Sequence, residues 1–283
     1  MRTIDLSNAI ILLYHGVTTE RSTGVRNSSG KHMYIDDFKY QMKYIKENCN
    51  TLALRDLLQL LEDGKELPKR TVAVTFDDSF KNVFKNAYAI LKKDNVPATL
   101  FITTGFVGTE RIIWTDILEL IIDNLDDEKT LYTHLEDLGC NKRFCLTTVE
   151  GKVEVLKKIK EFLKSVDEKT KDFFITRLIN GYQDDVHAAS LENYETLSWE
   201  DVRAMDEDPL IEIGSHTINH PILSRISLKE AETEIVSSKI KLQNELGHKV
   251  DLFSYPEGQE SHYNESIIKL LKKNRFICGL SAI

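Results

Sequence analysis

The sequence has little that would place the chain in or across a membrane. No stretch approaches the roughly 18 consecutive apolar residues that a membrane-spanning helix requires, and the N-terminal apolar run is only AIILLY at 9–14. One early arginine followed by acidic and polar residues is not the pattern of a secretory signal peptide. We therefore expect no transmembrane segment and a cytoplasmic protein.

Cysteine pairs and basic stripes are also lacking. The formal net charge is −8 and no basic stripe is visible, which argues against a nucleic-acid partner. The acidic balance fits a neutral or amino sugar better than a polyanion, and no feature predicts an oligomeric state. No C-x-x-C spacing occurs among the four cysteines, which are Cys49, Cys140, Cys145 and Cys278. Because the sequence shows no export signal, we expect them to be reduced thiols.

Linkers, low-complexity tracts and repeats are absent as well, so we expect one domain over residues 1–283. Apolar runs of strand length alternate with amphipathic helical segments, which is typical of βαβ units and a parallel sheet. The β-branched run TVAVTF at 71–76 suits a strand buried on both faces. The pattern predicts an α/β fold, a barrel of roughly seven strands, some of them irregular. Residues 111–193 are mostly helical and charge-rich, and we interpret them as an α-helical insertion.

Two helix starts and two late strands can be predicted from local sequence. Asp36 can cap the helix that follows it. Ser227 and Glu230 have the spacing of a capping box. The segments DLFSYP at 251–256 and RFICGLSAI at 275–283 have the composition of strands.

Polar side chains follow four of the predicted strands at the point where each strand ends. Catalytic residues of βα barrels gather at the carboxyl ends of the strands, so these positions predict the site. They are Tyr14 with His15, Asp77 with Asp78, His216, and Tyr255 with Pro256.

Asp77 and Asp78 are adjacent carboxylates at a strand end. They repel each other unless a cation or a proton separates their roles. The alternative interpretation is a helix cap, since aspartate is favoured there and a helix follows. One cap explains only one of the two aspartates.

His216 and His220 are spaced i, i+4, so their rings can converge on one ion. The alternative is two unrelated polar loop residues. No glutamate follows the first histidine, so the H-E-x-x-H protease pattern is absent. Two histidines and one carboxylate leave coordination positions open for water and substrate, and Asp78 is the natural third ligand.

Three segments together resemble the motifs of the polysaccharide deacetylase family, the NodB-homology domain of carbohydrate esterase family 4. They are TFDDSF at 75–80, SHTINH at 215–220 and FSYPEG at 253–258. The segment LLYHGV at 12–17 is similar to a subgroup with an N-terminal YHG motif. The resemblance covers nearly the whole chain apart from the insertion, and it implies a distorted (β/α)7 barrel of the NodB-homology type.

The resemblance also implies site roles and a metal-dependent hydrolase that removes an acetyl group from an N-acetylated sugar. Asp78, His216 and His220 would bind one divalent metal ion, with zinc as the default and cobalt, nickel or iron as alternatives. Asp77 would be the general base toward the attacking water, and the backbone N–H of Tyr255 would stabilise the oxyanion.

The general acid is implied to be His15. Many members of the family use a histidine in a late L-x-H motif, which this sequence lacks, and the N-terminal histidine takes that role in the YHG subgroup. The alternative is a buried histidine that is hydrogen-bonded at the barrel end. The arginine that many members carry before the YP segment is also missing, which leaves open what orients Asp77.

Two other functions stay open. A glycosidase would use a carboxylate pair on either side of the sugar, although neighbouring residues on a strand point to opposite faces. A catalytically inactive sugar-binding protein could use the same fold. We expect as substrate an N-acetylhexosamine unit of a surface glycan or of its biosynthetic intermediate.

Overall fold

A parallel sheet carries the polar strand ends to one edge. The computed structural model describes residues 9–21, 24–125, 131, 136, 145–182 and 192–282. The strands of the sheet are β1 (Ala9–Tyr14), β4 (Asn50–Thr51), β5 (Thr71–Phe76), β6 (Ala98–Ile102) and β7 (Ile211–Ser215). Their order is β1-β5-β6-β7, and β4 also pairs with β5. Two short strands, β2 (Gly16–Thr18) and β3 (His32–Tyr34), pair separately.

The strand β5 lies inside the sheet, and all six of its residues are buried. This burial explains its β-branched composition, because both faces are covered by packed side chains. All pairs are parallel, and their register aligns Tyr14 with Phe76 and Ile102 with Ser215. The residues that follow these strands therefore emerge at the same edge. The α/β class with a parallel sheet is confirmed.

The two predicted late strands contribute single bridges rather than full strands. Phe253 bridges Ser215 and Leu280 bridges Ser254, both in parallel. Pairing cannot continue far beyond Ser254, because Pro256 has no N–H to donate and Glu257 has a left-handed φ of 61°. The first segment still reaches the same edge as β7.

The described residues form nine α-helices. They are α1 (Ile35–Asn48), α2 (Leu54–Glu62), α3 (Tyr88–Asp94), α4 (Trp114–Asp123), α5 (Val149–Ser165), α6 (Glu168–Gly181), α7 (Trp199–Asp206), α8 (Leu228–Leu246) and α9 (Glu265–Lys273). A single π-helical turn, Val83–Ala87, precedes α3.

The helix starts follow the local sequence in one of the two predicted cases. Ser227 and Glu230 form the capping box of α8, as predicted. The prediction for Asp36 is wrong, because α1 begins at Ile35 after Tyr34, and no side chain caps it. Asp36 lies instead in the first turn, where its negative charge interacts favourably with the helix dipole.

The chain forms two compact units. One contains Met1–Thr19, His32–Arg111 and Glu195–Ile283, and the other contains Glu20–Lys31 and Ile112–Tyr194. The first unit includes the sheet, and the second includes α4, α5 and α6. The assignment of 1–283 to a single domain with an insertion at 111–193 stays a prediction.

Two helices of the second unit, α5 and α6, start with side-chain caps from Thr148 and Asp167. Inside it, the buried carboxylate of Glu119 pairs with Lys160 at 2.8 Å, so a charge that burial would disfavour has a partner. Among the helices that the structure describes, none combines the length and apolarity that crossing a membrane needs.

Candidate metal centre

Five predicted side chains come together at the carboxyl edge of the sheet. Asp77 and Asp78 directly follow β5, His216 directly follows β7, and His15 directly follows β1. His220 lies four residues beyond His216. Because parallel strands end at a common edge, positions far apart in sequence are brought within a few ångströms of one another.

Asp78, His216 and His220 form a group that can hold a metal ion. All three are buried, and one ligand atom from each lies within 4.8 Å of the others. Oδ1 of Asp78 is 3.4 Å from Nε2 of His216 and 3.1 Å from Nε2 of His220. Ligand atoms bound to tetrahedral zinc at about 2.0–2.1 Å lie about 3.3 Å apart. The donor set and its spacing therefore fit a zinc-sized ion.

A backbone carbonyl orients the ring of His216. Nδ1 of His216 lies 2.9 Å from the carbonyl oxygen of Ser254. Since a carbonyl can only accept, Nδ1 carries a hydrogen, and Nε2 is the ring nitrogen that faces Asp78. Metal-binding histidines are commonly oriented by this kind of bond.

Two opposing influences act on Asp78. Burial alone would raise the pKa of its carboxyl, but His220 and His216 outweigh burial and hold that pKa well below its ordinary value. The carboxylate is therefore ionised, which is the form that binds a cation.

Asp77 has a different environment from its neighbour. Its Oδ2 accepts a hydrogen bond from the hydroxyl of Ser254 and lies 3.9 Å from Nε2 of His216. Burial raises the pKa of Asp77, although His216 and His15 oppose the change. The pKa values of the two adjacent carboxyl groups are thus shifted in opposite directions, which is the arrangement that gives paired carboxylates different roles.

His15 approaches Asp78 from the other side. Its Nε2 is 4.0 Å from Oδ2 of Asp78, the oxygen that does not face the histidine pair, and its side chain is 32% exposed. His15 is therefore the member of the cluster with the most contact with solvent.

A close contact behind His15 fixes its backbone. A Cβ on Gly16 would lie 2.0 Å from Nδ1 of His32 and 2.6 Å from Oδ1 of Asn82. The Asn82 side chain accepts from the N–H of Val17 at 3.3 Å and contacts the His32 ring through Nδ2 at 2.9 Å. Only glycine fits at position 16, so the backbone from which the His15 side chain projects is fixed in position.

The backbone N–H of Tyr255, which the resemblance assigns to the oxyanion, has an acceptor within the protein. It donates to the carbonyl of Leu280 at 3.0 Å, because the C-terminal segment bridges here. A substrate oxygen would have to share or displace this bond. The role of Tyr255 stays a prediction.

Non-glycine residues with left-handed backbone cluster at the site. Their φ values are 73° at Asp78, 63° at Ser79, 67° at Thr217 and 59° at His220. Such conformations cost of order 1–3 kcal/mol each and persist where surrounding contacts enforce them. At Ser79 those contacts include the bond from the N–H of Thr103 to Oγ at 2.8 Å.

Comparison with known protein families identifies the family of the chain. Residues 64–134 and 136–277 match the family model described as polysaccharide deacetylase. The chain belongs to the polysaccharide deacetylase family. The match includes Asp77, Asp78, His216, His220 and Tyr255, whereas His15 lies before it.

The chain is similar over part or most of its length to several proteins that are named as deacetylases. A poly-beta-1,6-N-acetyl-D-glucosamine N-deacetylase of Staphylococcus aureus (strain MSSA476) is 42% identical over 82 residues, which cover 29% of this chain and 28% of the relative. Among solved structures, IcaB from Ammonifex degensii has a TM-score of 0.59 at 17% identity and covers 95% of this chain and 81% of that one. A Streptococcus pyogenes deacetylase, PplD, solved with acetate, has a TM-score of 0.57 at 18% identity and covers 96% and 82%. At these sequence identities, the solved structures support only the fold of the chain.

Two residues at the candidate site could not be recognised from the sequence. Ser254 lies inside the FSYPEG segment, whose resemblance drew attention only to Tyr255. Its hydroxyl reaches Asp77 and its carbonyl reaches His216. Glu234 contacts the segment between the two histidines, although in the sequence it is one of several charged residues on an amphipathic helix.

Proposed function

We propose that this chain is a metal-dependent deacetylase that hydrolyses the acetamide of an N-acetylated sugar to acetate and a free amine. The observation that carries the proposal is the buried Asp78, His216 and His220 triad beside a second carboxylate whose pKa is raised by burial. We propose one zinc ion as the cofactor, held by the three triad residues. When bound, such an ion polarises the scissile carbonyl and the attacking water.

Asp77 acts as the general base in this proposal. Its carboxylate takes the proton that the water loses as the new C–O bond forms. The Ser254 hydroxyl holds Oδ2 of Asp77 in place at 2.9 Å, which is the orienting role that the missing arginine left unassigned. Asp77 lies close to His216 but is not one of the three proposed ligands. Its carboxylate is therefore available to accept the proton of the attacking water.

His15 acts as the general acid. As the C–N bond breaks, its imidazolium gives a proton to the leaving amine, because an unprotonated amine is a poor leaving group. The 32% exposure of the side chain supports this role over the alternative of a buried structural histidine. The rigid Gly16 contact supports it as well, since a proton donor must be held in place.

The substrate we propose is an N-acetylglucosamine unit of a glycan. The support is the similarity to the staphylococcal poly-beta-1,6-N-acetyl-D-glucosamine N-deacetylase, which is limited to 28% of that relative's length. The cytoplasmic location and the choice between a finished glycan and a biosynthetic intermediate stay predictions.

The test combines metal analysis with acetate release. The purified protein should contain one divalent ion per chain and release acetate from N-acetylglucosamine oligomers, including the β-1,6-linked form. A chelator should abolish release, and zinc should restore it. Release that survives complete removal of the ion would contradict the metal-dependent mechanism.

The same assay separates the other functions. New reducing ends without acetate would favour a glycosidase. Glycan binding with no acetate, under zinc, cobalt, nickel or iron, would favour the inactive sugar-binding protein.

A further inference from the structure

The segment that joins the two histidine ligands is held in an unusual conformation. Thr217 and His220 both have left-handed backbone, with φ of 67° and 59°. The hydroxyl of Thr217 donates to the carbonyl of His216 and accepts from the N–H of His220 at 3.1 Å. The distance between the two imidazoles therefore depends on how this tight turn is supported.

One carboxylate from α8 binds three donors of the turn. Oε2 of Glu234 accepts from the N–H of Ile218 at 2.8 Å and from the N–H of Asn219 at 2.9 Å. Its Oε1 accepts from Nδ2 of Asn219 at 2.7 Å. Two consecutive backbone amides that face one carboxylate leave the turn little freedom to reorient.

The opposite side of the turn is bound to the segment after β6. The N–H of Thr104 donates to the carbonyl of Thr217 at 3.1 Å, and the N–H of Gly105 donates to that of Ile218 at 2.9 Å. A Cβ on Gly105 would lie 2.6 Å from the latter oxygen. The turn is thus held between a backbone ladder on one side and Glu234 on the other.

Arg111 fixes which way the Asn219 amide points. Its Nη1 donates to Oδ1 of Asn219 at 2.9 Å and to the carbonyl of Gly105 at 3.1 Å. A flipped amide would turn its NH₂ group toward the guanidinium and its oxygen toward the carboxylate of Glu234. Both contacts would be unfavourable, so Asn219 presents NH₂ to Glu234.

We propose that Glu234 is a positioning residue for the metal centre, acting through the 217–219 turn to set the separation of His216 and His220. The inference rests on the proposed metal-binding function and goes beyond it, because Glu234 hydrogen-bonds Ile218 and Asn219, which are not among the three proposed ligands. Its carboxylate stabilises the strained conformation of the turn and so sets the positions of the two imidazoles before the ion binds.

The hydrogen-bond pattern offers a compensating pair of substitutions. In Glu234→Gln, the remaining oxygen can accept from the two backbone amides, but the new NH₂ group faces the NH₂ group of Asn219. In Asn219→Asp, two carboxylates face each other. In the double variant, the Gln amide can donate to the Asp carboxylate, whose other oxygen still accepts from Arg111. The two backbone amides still donate to the side-chain oxygen at position 234, and the third bond, between the side chains at 234 and 219, is restored with its donor and acceptor exchanged.

The measurement is the apparent Kd for zinc, obtained by competition with a chelating indicator, together with the visible spectrum of the cobalt-loaded protein. Loss of an outer hydrogen bond at a metal site typically weakens metal binding about 10–100-fold. We expect Glu234→Gln and Asn219→Asp each to weaken zinc binding about tenfold or more and to alter the cobalt spectrum. The double variant should regain most of the affinity and the wild-type spectrum.

Glu232→Gln is the matched control. Glu232 lies on the same helix and pairs with Lys273 at 2.7 Å, so its substitution should leave the zinc Kd unchanged. Unfolding of each metal-free variant is followed in parallel. If Glu234→Gln does not fold, Asn219→Ala, which removes the side-chain bonds to Glu234 and Arg111 and keeps both backbone bonds to Glu234, should weaken zinc binding in the same direction.

Wild-type zinc affinity and an unchanged cobalt spectrum in folded Glu234→Gln would overturn the inference alone. A double variant as weak as the single ones would also overturn it. If the wild-type protein holds no ion that Asp78→Ala removes, the proposed function fails and this inference fails with it, so the two failures are distinguishable.

Discussion

The hydroxyl of Ser254 donates a hydrogen bond of 2.9 Å to Oδ2 of Asp77. The same residue holds the ring of His216 through its carbonyl, so its side chain contacts the proposed base and its backbone contacts a proposed metal ligand. Substitution by alanine removes the first contact and keeps the second. The two roles can therefore be tested separately.

Ser254→Ala should lower kcat about tenfold or more and leave the zinc Kd nearly unchanged. A hydrogen bond to a charged group contributes about 1.5–3 kcal/mol, and the carbonyl that orients His216 remains. Acetate-release kinetics and zinc titration measure the two effects. Ser224→Ala is the control, because its hydroxyl bonds only the exposed carbonyl of Ser261 at 2.7 Å. Equal losses of metal affinity and kcat in Ser254→Ala would contradict the division of roles.

Substitutions of Asp77 and Asp78 should have different effects on metal binding and activity. Asp78→Ala should lose both the ion and activity, because it removes the carboxylate that both histidines face. Asp77→Asn should keep the ion and lose about 10²–10⁴-fold in kcat, the usual contribution of a general base. Elemental analysis and acetate release on the same samples measure this. An Asp77→Asn protein without metal would show that Asp77 is a ligand.

Gly16→Ala should reduce activity and stability together. The added methyl would lie 2.0 Å from His32 and 2.6 Å from Asn82, and overpacking of this kind typically costs about 1–3 kcal/mol. Because His15 precedes the contact, kcat should fall as well. Gly64→Ala is the control, since its Cβ meets nothing within 4 Å and only its left-handed φ of 66° is strained. Denaturant unfolding and kinetics distinguish the two, and a fully active Gly16→Ala protein would contradict the role of this contact.

A pH-dependent contribution to stability is expected from Asp251, which is 2% exposed. Burial would raise its pKa, but hydrogen bonds from Arg55 and Lys249 outweigh burial and lower it. A lowered folded-state pKa stabilises the fold above the unfolded value of about 3.9, and this contribution is lost as pH falls through the folded-state pKa.

Asp251→Asn should therefore lower the free energy of unfolding at pH 7, by about 1–3 kcal/mol for a buried charged group that loses its hydrogen bonds. The difference from wild type should shrink as the pH falls below about 4. Denaturant titrations across this range measure it, with Asp63→Asn, at an exposed pair with Lys65, as the control. A difference that is constant over the whole range would contradict the assignment.

The edge at which the site lies could be predicted from the sequence, whereas its detailed geometry could not. Polar residues after apolar runs mark that edge, because parallel strands end together. The sequence alternation of neighbouring side chains suggested that Asp77 and Asp78 point apart. Instead, the left-handed backbone at Asp78 ends the strand geometry, and both carboxylates approach Nε2 of His216. This shared approach fits poorly with carboxylates placed on either side of a sugar.

Other features depend on contacts that have no local signal. The bond from Tyr255 to Leu280 depends on the register of a C-terminal bridge, which composition alone does not determine. Glu234 has the spacing of a solvated helix position, and only the fold brings it to the histidine turn. Asp36 illustrates the limit on helix ends, since its preference for caps did not determine where α1 begins.

The helix α8 begins at the Ser227 capping box, and Glu234 lies within its first two turns. If the ion is bound more tightly because this part of the helix is formed, then by thermodynamic reciprocity the bound ion must also hold this part of the helix closed. The opening of these turns, measured by amide hydrogen exchange, would then be coupled to the dissociation of zinc.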